Sequence, residues 1–232
     1  MILQPVNQSA RTPAPSVPDP IVHVVDDEPA IQELFRRLGS AENFAVRAYG
    51  SADEFLDGVD PHAPGCLVLD LNLPDRSGLE VLTILSERGY IMPVVFMSGC
   101  AGVNEAVRAL KLGSLDFVQK PFDLSEMLAA IRRALEANAQ QRTAEQQRVE
   151  LRARFTALTP REAEVMELVV EGLPNKLIAT RLGISPKTVE VHRSHVMQKT
   201  RSSSLAELVR LNVAAGLAAP LRGEVESEPV PS

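Results

Sequence analysis

The chain has 232 residues and a formal charge of −6, from 24 Lys and Arg against 30 Asp and Glu, and 45% of it is hydrophobic. No run approaches the ~18 consecutive apolar residues of a membrane span, so no membrane role is expected. Taken whole, the acidic balance argues against a nucleic-acid partner, and a length of this order holds one or two domains with cores of their own.

Residues 1–20 carry Pro5, Pro13, Pro15, Pro18 and Pro20. With no apolar segment behind a basic start, they read as a disordered leader and not as a secretory signal. Cys66 and Cys100 have no partner at metal-site or redox-motif spacing, which points to a reducing, cytoplasmic setting and to small buried side chains. From Ile21 onward, short apolar runs alternate with helical patterns. The runs are Ile21–Val25, Phe44–Ala48, Cys66–Leu69, Val94–Met97 and Leu115–Val118. Between them Ile31, Leu34, Phe35 and Leu38 recur at helical spacing, as do Val103, Ala106, Val107 and Leu110, and then Leu124, Met127, Leu128, Ile131 and Leu135. Five strands and five helices over residues 21–137 predict an α/β domain, a flavodoxin-like doubly wound five-stranded parallel sheet.

Residues 138–153 are rich in Gln, Arg, Ala and Glu without Gly, Pro or a sustained apolar stripe. They predict a linker, partly helical as an extension of the fifth helix, and hence a domain boundary. Residues 154–219 predict a second, all-α domain of four helices. Thr159, Pro160 and Glu162 form a capping box that opens the first helix, and Gly172 closes it. A short helix follows from about Asn175 to Leu182 and stops at Gly183. Ser185 and Pro186 start a third, and Ser204 a fourth. The tail, 220–232, reads as disordered.

Divided at this boundary, the charge changes meaning. Residues 21–137 carry a net −8 and residues 138–216 a net +4. In an open parallel sheet the ligand crevice lies at the carboxyl ends of the strands. Asp26 and Asp27 end the first run, Asp70 the third and Ser98 the fourth, while Lys120 follows the fifth. Three neighbouring carboxylates repel one another, and a hard divalent cation, Mg2+ or Mn2+, would resolve that repulsion. A carboxylate beside a metal, an ammonium and a hydroxyl suits phosphoryl transfer, with Asp70 attacking in line to give an aspartyl phosphate. A turnover phosphatase of this chemistry needs a general acid two positions after its nucleophile. That position is Asn72, which has no proton to give, so an enzyme is not expected. The four His residues show no metal-ligand spacing to one another and read as packing or surface residues.

The segments IVHVVDD (21–27), LVLDLNLPDRSG (67–78), FMSG (96–99) and DFVQKP (116–121) resemble the receiver domain of two-component response regulators over residues 21–137. The resemblance implies Asp70 as phosphoacceptor, phosphorylated by a sensor histidine kinase. It places Asp27, Asp70 and the backbone carbonyl of Asn72 on Mg2+, with Asp26 acting through water. Ser98 would sense the phosphate, Lys120 bind it, and Phe117 be the aromatic switch. A cis peptide before Pro121 is implied too.

In the second domain, residues 175–194 read as helix, tight turn, helix, an arrangement that lays its second helix in the DNA major groove. Lys176, Lys187, Arg193 and Lys199 suit phosphates. Thr188 lies in the first turn of the second helix, and Glu190, Val191 and Ser194 share one face and could meet base edges. Val189, His192, Val196 and Met197 are assigned to the core. The segments LTPRE (158–162), EGLPNKLIA (171–179), LGISPKTVEVH (182–192) and SLAELVRL (204–211) resemble the LuxR-type helix-turn-helix of the FixJ/NarL class. That class implies promoter DNA as partner, a homodimer formed on phosphorylation and paired through the helix at Ser204–Gly216, and contact with RNA polymerase. Thr200 stands where the class usually has an apolar residue. The competing expectation is a phosphorylation-controlled interaction module that docks on protein and binds no DNA; the basic reading helix favours DNA.

Overall fold

The computed structural model describes residues 19–99 and 103–217. The leader up to residue 18, Cys100 and the tail from residue 218 lie outside the described residues. The chain divides into two units, residues 1–142 and 143–232.

The first unit runs β1 (Ile21–Val25), α1 (Pro29–Glu42), β2 (Ala45–Tyr49), α2 (Ala52–Gly58), β3 (Gly65–Asp70), α3 (Gly78–Glu87), β4 (Val94–Ser98), α4 (Val103–Lys111), β5 (Asp116–Gln119) and the start of α5 (Leu124–Thr156). All strand pairs are parallel and the order is β2-β1-β3-β4-β5. Because side chains alternate along a strand, each strand feeds two cores. Leu67, Leu69 and Phe96 join Phe55, Val81 and Leu85 in one cluster. Cys66, Val68, Val95 and Met97 join Phe35, Met127 and Ile131 in the other. β3 is buried along its whole length, as a central strand covered on both faces must be. Each fully buried Leu, Val or Phe contributes about 1.5–3 kcal/mol of apolar burial. Burial also pushes the Cys66 thiol up to about 12, so it acts as a small hydrophobe.

Two strands sit one residue later than their apolar runs. α1 ends at Asn43 in the left-handed region (φ 61°), where the N–H of the following residue, Phe44, bonds back to Gly39, so β2 begins at Ala45. Leu115 still donates to the Val94 carbonyl, but its side chain is exposed and β5 begins at Asp116. α2 and α3 have N-caps the periodicity did not reveal: Ser51, and the capping box of Ser77 with Glu80.

The segment 138–153, expected to be partly helical as an extension of the fifth helix, is helical throughout: α5 runs without a break through all 33 residues. The division between the two units, after residue 142, falls within this segment, and its first residue belongs to the first unit. Asn138 is buried, accepts from the Gly65 N–H (3.0 Å) and donates to the Ile91 carbonyl (3.1 Å). A side chain that satisfies two otherwise unpaired backbone groups is part of the first unit's framework.

In the second unit, α6 (Pro160–Val170), α7 (Asn175–Leu182), α8 (Pro186–Thr200) and α9 (Leu205–Ala214) enclose a core of Val165, Met166, Leu168, Ile178, Val189, Val196 and Leu208. Phe155, from the last turn of α5, belongs to the same core. Thr159, Ser185 and Ser204 each accept from a backbone N–H at their helix starts, a cap worth about 1 kcal/mol. Gly183 takes the left-handed conformation (φ 65°) that the tight turn between α7 and α8 requires.

Candidate functional site

In the first unit the ends of β1, β3 and β4 bring Asp26, Asp70 and Ser98 together with Lys120. Asp26 is fully buried, Asp70 nearly so and Ser98 fully. The Lys120 Nζ lies 2.6 Å from Asp26 Oδ2 and 2.7 Å from Asp70 Oδ2. Its backbone N–H donates to the Ser98 carbonyl at 2.8 Å, which holds it in line with β4. The Lys120–Pro121 peptide is cis. Burial pushes the Asp26 carboxyl above the usual carboxylate range, even though Lys120 draws it down. Burial also works against the charge on Lys120, but its hydrogen bonds to Asp26 and Asp70 outweigh that and raise its pKa.

Asp27 is exposed beside this cluster. Carboxylate oxygens of Asp26, Asp27 and Asp70 lie within 4.8 Å of one another. This all-oxygen donor set, half buried and half open to water, fits a hard divalent cation. Asn72 is exposed, with its N–H on Asp70 Oδ1 (3.0 Å), and an antiparallel bridge ties it to Ser77. Phe117 is half-buried against the core cluster that contains Phe96, its register partner in β4.

Three participants escaped the strand-end pattern. Glu28 reaches Lys120 at 3.2 Å. Gln32 donates to the Asp26 carbonyl at 2.8 Å. Asp75 accepts from the N–H groups of Ala52 (3.3 Å) and Asp53 (2.9 Å), tying the loop after β3 to the start of α2. The first two lie one and five residues after Asp27, a signal available in the sequence. The third joins residues 22 and 23 positions apart and has none.

In the second unit α8 presents Glu190, Val191 and Ser194 to solvent, and Lys187 and Lys176 are exposed as well. Lys187 lies 3.5 Å from Glu190. Val189 and Val196 are buried, Met197 packs against the core, and His192 is half-buried. Arg193 donates to Asn175 Oδ1 at 2.9 Å, linking α8 to the first residue of α7. Buried Thr200 is satisfied: its hydroxyl bonds the Val196 carbonyl (2.7 Å) and the Ser202 hydroxyl (2.9 Å). Lys199, expected to meet DNA phosphates, has a carboxylate partner within the folded domain. Its ammonium lies 2.6 Å from Glu162 Oε2, on a carboxylate whose side chain is only 5% exposed.

Residues 22–132 match the response regulator receiver domain, and residues 156–212 match the LuxR family of bacterial regulatory proteins. The transcriptional regulatory protein FixJ of Azorhizobium caulinodans is 46% identical over 197 residues, which is 85% of this chain and 93% of that protein. The response regulator protein TmoT of Ectopseudomonas mendocina is 40% identical over 191 residues, 82% of this chain and 87% of that one. Among solved structures, the response regulator StyR has a TM-score of 0.74 at 40% identity, covering 84% of this chain and 98% of its own. Full-length FixJ from B. japonicum has 0.52 at 36%, covering 86% and 98%. No helix among the described residues is long and apolar enough to cross a membrane. Nothing in these matches supports the protein-docking alternative. The chain belongs to the FixJ/NarL class of two-component response regulators, a receiver joined to a LuxR-type helix-turn-helix, and is a phosphorylation-regulated, DNA-binding transcription regulator.

Proposed function

We propose that Asp70 is the phosphoacceptor and that a sensor histidine kinase is the donor. The phosphorus–nitrogen bond of a phosphohistidine breaks, a phosphorus–oxygen bond to the Asp70 carboxylate forms, and the released imidazole takes up a proton. The observation that supports this is the position of Lys120, whose ammonium touches Asp70 and a second, fully buried carboxylate at 2.7 and 2.6 Å. A cation held there neutralises charge on an incoming phosphoryl oxygen without having to be brought in. Asp26, Asp27, Asp70 and the Asn72 carbonyl would hold Mg2+ or Mn2+, which supplies further neutralisation of the transferring group. With Asn72 two residues after the acceptor, the receiver catalyses its own phosphorylation and slow hydrolysis and is not a turnover enzyme.

Ser98 and Phe117 then report the phosphate to the rest of the receiver, and a homodimer forms. Converting a mostly inactive population into a mostly active one takes about 5.5 kcal/mol of differential stabilisation. The second unit binds promoter DNA through α8, with Thr188, Glu190, Val191 and Ser194 at base edges and Lys176, Lys187 and Arg193 at phosphates. RNA polymerase is the downstream partner, and the setting is cytoplasmic. Incubation of the full chain with Mg2+ and acetyl phosphate should give one acid-labile, base-labile phosphate per chain, absent from Asp70→Asn. Stoichiometric labelling of that variant would place the acceptor elsewhere.

A further inference from the structure

Two residues of α8 one turn apart, His195 and Lys199, meet a single carboxylate, Lys199 on the side of the helix away from Glu190 and Ser194. Glu162 Oε2 takes the Lys199 ammonium at 2.6 Å and also the Thr159 N–H at 2.8 Å. Glu162 Oε1 lies 3.5 Å from His195 Nδ1. Glu162 therefore closes the capping box at the start of α6 and, with the same group, grips the C-terminal half of α8. The hydrogen bond from Lys199 and the cap hold its carboxyl down to about 2, so it stays charged.

We propose that Glu162 is a positioning residue for DNA reading, setting the rotation of α8 about its own axis through Lys199, and that Lys199 serves this joint and makes no phosphate contact. The apolar contacts of Val189 and Val196 with the core are non-directional and set the helix rotation less sharply than a directional bond does. An ion pair that is also a short hydrogen bond is such a bond. Side chains on α8 end about 6 Å from its axis, so a roll of about 20° would carry Glu190, Val191 and Ser194 by about 2 Å. That is enough to break a hydrogen bond to a base edge. Arg193, fixed by Asn175 near the middle of the helix, secures the N-terminal half. Glu162 secures the other.

The inference rests on α8 being the reading helix. The test uses the full chain, phosphorylated with acetyl phosphate and Mg2+. The probes are a duplex selected by that protein from a randomised library and a scrambled duplex of equal length, each titrated across a range of salt. Lys199→Ala and Glu162→Gln should each weaken binding to the selected duplex by about tenfold. Binding to the scrambled duplex and the salt slope should stay as in the unaltered chain, the double variant should be no worse than either single one, and Lys199→Arg should recover affinity. Glutamine still accepts the Thr159 N–H, so the cap survives, and a circular dichroism spectrum verifies the fold of each variant. A phosphate contact predicts otherwise. Lys199→Ala would lower the salt slope by about one, and Glu162→Gln, by freeing the ammonium, would tighten both duplexes; either result overturns the inference. Loss of both duplexes in step with loss of helix would reduce Glu162 to a structural residue and overturn it too. Failure of the underlying reading looks different: the unaltered chain would not distinguish the duplexes, and Arg193→Ala would leave its salt slope unchanged.

Discussion

The receiver should lose stability on mild acidification through a single side chain, His23. It lies in β1 at 2% exposure, with Nδ1 2.9 Å from the Tyr49 hydroxyl and Nε2 buried without a partner among the described residues. Tyr49 stacks on the ring and Phe55 meets it edge-on, both at 5.8 Å. Burial, helped by Arg47, lowers its pKa from 6.5 to about 4. Between those values the unfolded chain binds a proton that the folded chain refuses, so stability falls as pH falls from about 6.5 towards about 4. The separation of about 2.5 pH units corresponds to about 3 kcal/mol in full, of which about 2 kcal/mol should be lost between pH 7 and pH 4.5. The chain has two tyrosines, Tyr49 and Tyr90, and no tryptophan. Both lie in the first unit, so near-ultraviolet circular dichroism in urea reports that unit alone. His23→Phe should cost about 1 kcal/mol at pH 7, because the Tyr49 hydroxyl loses its partner. It should then outlast the unaltered chain at pH 4.5. Burial raises the Asp26 carboxyl, which acts in the opposite sense, but Asp26 is present in both proteins and cancels in the comparison. Parallel pH profiles for the two proteins would refute the reasoning.

Gly78 touches the back of Asp70, the proposed phosphoacceptor: a Cβ there would lie 2.6 Å from the Asp70 carbonyl oxygen and 2.9 Å from Phe96. Gly78→Ala should displace the end of β3, cost about 1–3 kcal/mol and slow phosphorylation by acetyl phosphate about tenfold or more; an unchanged rate on phosphate-affinity gels would count against it. Asn138→Ala should destabilise the first unit by about 2 kcal/mol, since it strands the Gly65 N–H and the Ile91 carbonyl. Urea unfolding followed through the tyrosines would measure this, and a loss below about 0.5 kcal/mol would mean that water replaces the amide.

The parallel sheet was legible because short continuous apolar runs and period-3.6 helices dominate residues 21–137, and the helix starts of the second unit because Thr159, Ser185 and Ser204 are caps whose chemistry is local. Asp26, Asp70, Ser98 and Lys120 could be grouped in advance, since strand ends of an open parallel sheet share one edge. The 138–153 segment was harder to read. Its polar composition suits a solvated helix and a linker equally, and Asn138 acquires its role only by meeting Gly65 and Ile91 across the fold.

Local rules thus determined the elements, their caps and the chemistry at the strand ends. They could not determine which oppositely charged side chains would meet. Lys199 reads as a free cation on a basic helix until folding brings it 2.6 Å from Glu162, 37 residues earlier. Asp75 likewise finds partners that sequence spacing does not announce. A long side chain can serve DNA, water or a carboxylate with little change in local energy, and only the tertiary packing that places and desolvates one of these partners makes the choice.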